Sequence, residues 1–314
     1  MRYLKMLLLL FVVNIAFDIV LTVVLAIFHV SLSLIPFAFV YGFGIAFFTL
    51  FISKWLAKRM YRMTQITIAD TGIKKNIYLM VQEISNKVGL HMPEVWLYND
   101  KSPNAFATGP SKNNSMVAVS VGLVNLLDQQ EIKSVIAHEI GHIYNGDMLS
   151  TTILSGIMNG FVILGGNIIG RTLGKNFISK ILFTILFEYV LSLFAMIPLL
   201  WFSRHREYAA DKFAAQMEGK DGIINSLKKI YSYKSIDRRV SKDALATAYI
   251  KGNWKGFFST HPSLKQRVLA INALEVKYAY QKKSNFCTNC GIKLSQDGLY
   301  CNNCRTKIKE RKLM

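Results

Sequence analysis

The sequence predicts an α+β protein, mainly helical and membrane-embedded, with about four transmembrane helices, a small sheet and a compact C-terminal unit. Three observations lead there. Four long apolar runs interrupt the chain, in a composition that is 52% hydrophobic over 314 residues. Between the second and third runs the pattern turns polar and mixed, with short alternating stretches and one strongly periodic helix. All four cysteines fall after residue 286, as two C-x-x-C pairs.

Residues 6–28 are almost wholly apolar, broken by Asn14 and Asp18, and residues 32–53 form a second run with Pro36 near its start. Each exceeds the roughly 20 residues a helix needs to cross a hydrocarbon core. The first lacks a small-residue cleavage site and is followed at once by another span, so it reads as a retained anchor rather than a signal peptide. Asn14 and Asp18, one helical turn apart, should face a neighbouring helix rather than lipid. Residues 63–130 read as mixed soluble structure. Helical spacing covers 76–89, strands cover Val95–Tyr98 and Met116–Val121, and the polar Ser111–Asn114 segment is turn-like. Two further apolar runs, about 149–170 and 181–202, form a second hairpin. The first carries Gly156, Gly160, Gly165 and Gly166, which suit close helix packing, and the second carries Glu188 and Pro198. The expected organisation is a transmembrane hairpin at 1–56, a catalytic domain at 57–275 containing the second hairpin, a linker at 276–286, and a cysteine unit at 287–314.

The helix between the hairpins carries the chemistry. Asp128 with Glu131 three residues on forms a capping-box pattern, and Ile132, Val135, Ile136, Ile140 and Ile143 recur at helical spacing. Inside it stands His138-Glu139-Ile140-Gly141-His142. Side chains four apart share a helix face, so both histidines can grip one ion while Glu139 stands beside it as a general base. This H-E-x-x-H pattern is the zinc metalloprotease arrangement. A third ligand is still required. Glu207 and Asp211 lie four apart on a further helical stretch. Glu207 completes a His-His-Glu set, and Asp211 is then placed to accept a hydrogen bond from the outer nitrogen of a ligand histidine. His205 is a competing ligand, two residues away and so on another part of the helix surface. The oxyanion that forms during hydrolysis needs a donor. His261 is the first candidate, and Arg206 and Tyr208 are alternatives.

Together these segments resemble the HtpX-like membrane zinc endopeptidases, gluzincin-type relatives of the prenyl-protein proteases. The resemblance rests on Ser102-Pro103-Asn104-Ala105-Phe106-Ala107-Thr108-Gly109, on His138 to His142 continuing to Asn145-Gly146-Asp147, on Glu207-Tyr208-Ala209-Ala210-Asp211, and on His261-Pro262-Ser263-Leu264-Lys265-Gln266-Arg267. It extends from the N-terminus to about residue 275. It implies a zincin fold, a catalytic zinc held by His138, His142 and Glu207, and Glu139 as general base. It also implies Asn104, Ala105 and Phe106, with the strand after them, as the edge that binds peptide by main-chain hydrogen bonds. The implied activity is endoproteolysis of damaged or misassembled membrane proteins. A specific processing protease and a non-enzymatic membrane adaptor are the competing readings. An intact Glu139 argues against an adaptor.

Lysines and arginines flank the first hairpin at Arg2, Lys5 and residues 54–62, while the link between its helices has none. The positive-inside rule then puts the termini of the hairpin, the catalytic segments and the C-terminus in the cytoplasm of a multi-pass plasma-membrane protein. Arg171, Lys175 and Lys180, between the third and fourth runs, run against that pattern. The net charge of +19 suits anionic headgroups, and no nucleic-acid module is visible, so nucleic acid is not an expected partner. Cys287, Cys290, Cys301 and Cys304 have the spacing of a four-cysteine ribbon around a second, structural zinc. A cytoplasmic location disfavours two disulfides. The ribbon's partner is not legible.

Overall fold

The computed structural model describes residues 34–242, 262–275 and 303–304. The first apolar run, His261, Cys287, Cys290 and Cys301 lie outside the described residues, and Cys304 sits half-buried in a turn. The described elements are α1 (Leu34–Tyr61), β1 (Thr64–Ile66), α2 (Gly72–Val88), β2 (Glu94–Tyr98), β3 (Ala105–Ser111), β4 (Asn114–Ser120), α3 (Val121–Leu126), α4 (Gln129–Asn145), α5 (Asp147–Leu173), α6 (Phe177–Glu218), α7 (Lys220–Lys242) and α8 (Leu264–Asn272). Three described helices are long and apolar enough to cross a membrane: α1 from Pro36, α5 and α6. The chain divides into two compact units, residues 1–50 with 150–202 and residues 51–149 with 203–314.

The described residues of the first unit are helical and pack through glycine. Gly42 on α1 meets the backbone of α5 so closely that a Cβ there would lie 2.7 Å from the Gly160 nitrogen. The rings of Phe43 and Phe39 lie over Gly156 and Gly160. Gly166, Gly170 and Gly174 face Glu188, Thr184 and Lys180 in turn across the α5–α6 hairpin. Small residues let membrane helices approach backbone to backbone. Between them Asn167 and Glu188 are both buried, and the Asn167 amide donates to Glu188 Oε1 at 3.4 Å.

The second unit holds a four-stranded sheet, ordered β1-β2-β4-β3. β4 pairs parallel with β2 and antiparallel with β3. The core beneath the sheet is built from α2, α4 and α7, with Ile77, Ile84, Ile132, Ile136, Ile140 and Ile223 essentially inaccessible. Two glycines set the helix spacing. A Cβ on Gly141 would come within 3.2 Å of the Phe213 ring of α6, and Gly222 on α7 abuts Ser134 of α4.

Two elements differ from the sequence reading. Residues 105–111 form a strand, β3, where the sequence reading places only the edge of Asn104, Ala105 and Phe106 implied by the resemblance. The pairing with β4 shifts between Thr108 and Ser111, Gly109 has a φ of 148°, and Pro110 falls at an edge where no ladder donor is missed. The fourth apolar run and the Glu207–Asp211 stretch form one 42-residue helix passing through Pro198. Proline is tolerated inside membrane helices where the freed carbonyl finds other partners.

Candidate metal centre

The site is assembled from His138, Glu139 and His142 of α4, Glu207 and Asp211 of α6 and Arg267 of α8, residues that all belong to the second unit. The Asp128 carboxylate accepts the Glu131 amide and the Glu131 carboxylate accepts the Asp128 amide, closing the capping box that starts α4. The helix buries its isoleucine face and presents His138, Glu139 and His142 to a cavity of about 320 Å³. Gly141, with no side chain, lets Phe213 press against α4 and brings α6 close enough for Glu207 to reach the histidines.

His138 Nε2 and His142 Nε2 lie 3.2 Å apart, and Glu207 oxygens lie 3.6 and 3.7 Å from them. The three ligand atoms all fall within 4.8 Å of one another. The outer nitrogens face carboxylates: His142 Nδ1 is 2.6 Å from Asp147 Oδ2, and His138 Nδ1 is 3.0 Å from Asp211 Oδ1, close though off the N–H axis. Each carboxylate favours a proton on Nδ1 and so leaves Nε2 as a bare lone pair. Two lone pairs and a carboxylate oxygen converging on one point repel one another unless a cation stands between them. The donor set therefore fits a zinc ion.

Arg267 fixes the second carboxylate. It donates to both Asp211 oxygens, from Nε at 2.7 Å and Nη2 at 2.6 Å, and its Nη1 lies 3.4 Å from Glu207 Oε2. Glu207, Asp211, His138 and Arg267 are all at least nine-tenths buried. Burial disfavours the charged form of His138, but Asp211 and Glu207 outweigh that cost and hold its pKa up at about 10. A second ring proton and a metal cation compete for Nε2 in that field, so the lone pair is offered to the cluster when a cation displaces the proton.

Glu139 is half-buried and lines the same cavity. Asn104, Ala105, Phe106 and Ala107 line its rim, and β3 is an outer strand of the sheet among the described residues. The Ser120 amide donates to the Asn104 carbonyl at 2.9 Å, which turns the Asn104 main chain inward. The antiparallel alternation then leaves the main-chain groups of Ala105 and Ala107 pointing away from β4. The Asn104 amide donates to the Tyr98 hydroxyl at 3.0 Å, and Phe106 packs with Tyr61 and Tyr98 at 5.5 and 5.8 Å between ring centres. Those two side chains thus brace the strand. His205 and Tyr208 line a different concavity, beside Ile271 and Leu274 of the α8 region, and not the metal cavity.

The model of peptidase family M48 matches residues 74–275. The chain belongs to peptidase family M48. Among curated relatives of this M48 peptidase, Protease HtpX of Thioalkalivibrio sulfidiphilus is 34% identical over 260 residues, covering 77% of this chain and 86% of that protein. Protease HtpX of Acinetobacter baylyi is 34% identical over 262 residues with the same coverages. That of Stutzerimonas stutzeri is 37% identical over 251 residues, covering 76% and 86%. Among solved structures, S. mikatae Ste24p superposes with a TM-score of 0.60 at 18% identity, over 86% of this chain and 64% of that one, a likeness of fold.

The M48 site includes residues with no role in the sequence reading. Asp147 stands directly after Gly146, whose left-handed φ of 73° ends α4 and turns the next side chain back toward His142. A glycine stop followed by an acid, one turn past a ligand histidine, is a usable signal. Arg267 closed the 261–267 segment of the resemblance without an assigned role; the structure places it in the first turns of α8, after the capping box of Ser263 and Gln266. Tyr231 also lines the cavity and donates to the Pro262 carbonyl at 3.0 Å.

Proposed function

We propose that this membrane-bound metalloprotease is a zinc endopeptidase that cuts membrane or membrane-associated proteins, with His138, His142 and Glu207 as ligands and Glu139 as general base. One observation carries the reading: a three-ligand cluster, a carboxylate on the same helix, and an outer strand meet in one cavity. Zinc in this set supplies a Lewis acid for the scissile carbonyl and makes water more acidic. Glu139 takes a proton from the attacking water and returns it to the leaving amine as the C–N bond breaks. Asp147 and Asp211 keep the two imidazoles in the tautomer that binds metal. Ala105 and Ala107 bind an extended substrate as an added strand, a mode tolerant of side chains and suited to quality control of misfolded membrane proteins. The positive residues around α1 support a cytoplasmic site. The cysteine spacing supports a structural zinc in residues 287–314, and His261 is retained as a candidate oxyanion donor.

The test uses full-length protein in detergent. Glu139→Gln should retain zinc by mass spectrometry while casein hydrolysis falls by about 10²–10⁴-fold, the range of a lost general base. Glu207→Ala should lose both. Undiminished hydrolysis by the Glu139→Gln protein would sink the mechanism.

A further inference from the structure

α7 carries no ligand of the metal cluster, yet it grips the helix that bears Arg267. That helix, α8, has nine residues, and isolated helices shorter than roughly 12–15 residues are marginal in water. Its buried side chains are Arg267 and Ile271, one of them charged. Apolar burial therefore fixes α8 weakly, and polar ties to α7 supplement it. At the entrance of α8 the Tyr231 hydroxyl donates to the carbonyl of buried Pro262 at 3.0 Å, directly before the Ser263 cap. At its exit the Lys220 ammonium donates to the Asn272 carbonyl at 2.8 Å. Lys220 and Tyr231 are eleven residues apart, so they leave α7 within about 20° of one direction and about 16 Å apart. The ten residues from Pro262 to Asn272 cover a similar length. A lysine in the first turn of a helix opposes that helix's own dipole, whereas a cation at a helix C-terminus is favourable. Lys220 opens α7 and closes α8. α7 is itself fixed to the metal helix, by Gly222 against Ser134 and by Lys229, which donates to the buried Glu131 carboxylate at 2.7 Å.

We propose that Tyr231 and Lys220 are positioning residues of the metal centre, holding α8 so that Arg267 keeps Asp211 and Glu207 in place. The proposal rests on the metallopeptidase reading and adds to it the support on which the ligands depend. The route from α7 to the ligands is short. Arg267 donates to both Asp211 oxygens, its Nη1 stands 3.4 Å from Glu207 Oε2, and Asp211 faces the outer nitrogen of His138. A guanidinium and a carboxylate meet as two parallel hydrogen bonds in a fixed plane, so a shifted α8 spoils that pairing. Arg267, Asp211 and Glu207 are all buried, and a buried charge that loses its partner is strongly destabilising. Tyr231 lines the metal cavity, whereas Lys220 is not among its lining residues. An effect shared by both residues therefore cannot arise from contact with substrate.

Zinc affinity tests this without turnover. Full-length protein in detergent, carrying Cys287→Ser and Cys290→Ser so that one site titrates, competes for zinc with a chromogenic chelator. Tyr231→Phe and Lys220→Met should each weaken binding by roughly 2- to 10-fold, the range of one hydrogen bond. Lys220→Arg still donates to the end of α8 and should match the parent. Arg267→Lys keeps the charge but loses the planar fork, and should itself weaken binding. In that background Tyr231→Phe and Lys220→Met should add less than about 2-fold, because residues that act through one another are not additive. Hydrogen exchange in zinc-free protein supplies a readout independent of the metal. The amides of residues 264–272 should exchange faster in Tyr231→Phe, and those of α4 should not. Unchanged or tighter zinc binding in Tyr231→Phe and Lys220→Met, unaltered exchange in α8, or effects that add in full to that of Arg267→Lys would overturn the positioning role and leave the peptidase standing. Failure of the parent protein to bind zinc would overturn both.

Discussion

Each ligand histidine has its own carboxylate, and the two are held differently. Asp211 is clamped by Arg267, whereas Asp147 follows a helix end whose geometry depends on one glycine. Partners of this kind typically contribute 10–100-fold to metal affinity. Asp147→Asn is therefore expected to weaken zinc binding by about that factor, measured by competition with a chromogenic chelator, with little loss of folded protein. Unaltered affinity would show that His142 is held by packing alone. At this scale the sequence was informative where chemistry is local. His138 and His142 are legible because one helix face carries both, Glu139 because it adjoins His138, and Asp211 because it sits one turn from Glu207. Arg267 was opaque because its meaning is tertiary, a cation 56 residues from the aspartate it grips. His205 and Tyr208, two residues before and one after Glu207, line a concavity other than the metal cavity.

Among the elements, α4 and its contacts decide whether the site forms. Gly141 is the point of closest approach to α6, and an added methyl would press into the Phe213 ring. Gly141→Ala should cost about 1–3 kcal/mol, the usual penalty of overpacking, and should also loosen zinc because Glu207 rides on the displaced helix. Thermal unfolding and zinc titration check both, and unchanged values would mean that the helices repack freely. The far end of α4 is tied to the β3–β4 hairpin by Lys112, whose ammonium donates to the Tyr144 carbonyl at 2.5 Å. On the other side of the sheet, Glu94 of β2 accepts from Lys54 at 2.7 Å, pairs with Lys58 at 2.8 Å and accepts from the Trp96 indole at 2.9 Å. Partial burial opposes its ionisation, but the two lysines and the indole win and hold the carboxyl at about 2 against an ordinary 4.5. A depressed carboxyl stabilises the fold fully above pH 4.5 and ceases to do so as the pH falls toward 2. Glu94→Gln should therefore flatten the acid limb of the unfolding curve between those values, and an unchanged acid limb would refute the clamp. The periodic helix α4 was plain in the sequence. β1 and the whole of β3 were not, because a three-residue strand has no period and β3 contains the glycine and proline that normally end one.

At the scale of the whole molecule, two metal sites are expected in separate parts of the chain. The spacing of Cys287, Cys290, Cys301 and Cys304 supports the proposed second ligand set, and so small a unit would depend on its ion to fold. Full-length protein should contain about two zinc ions per chain, and the double substitution Cys287→Ser, Cys290→Ser should remove one while peptide hydrolysis persists. Elemental analysis decides it; a single zinc in the wild-type protein would remove the ribbon. The spans at α1, α5 and α6 were legible because apolar length needs no tertiary information. The continuity of α6 from lipid-compatible residues to the metal ligand was hidden by Pro198 and the change to charged residues after Phe202.

The glycine ladder of the α5–α6 hairpin has a further consequence. Gly166, Gly170 and Gly174 repeat every four residues against Glu188, Thr184 and Lys180, which repeat every four residues in the opposite direction. Such a ladder is degenerate, because sliding one helix by a full turn sets glycine against a partner again. Small residues alone thus permit several alignments of similar closeness. The Asn167–Glu188 hydrogen bond is compatible with one of them. That pair acts as the tooth of a vernier, selecting one alignment from a periodic set, as a single polar residue selects register in a coiled coil.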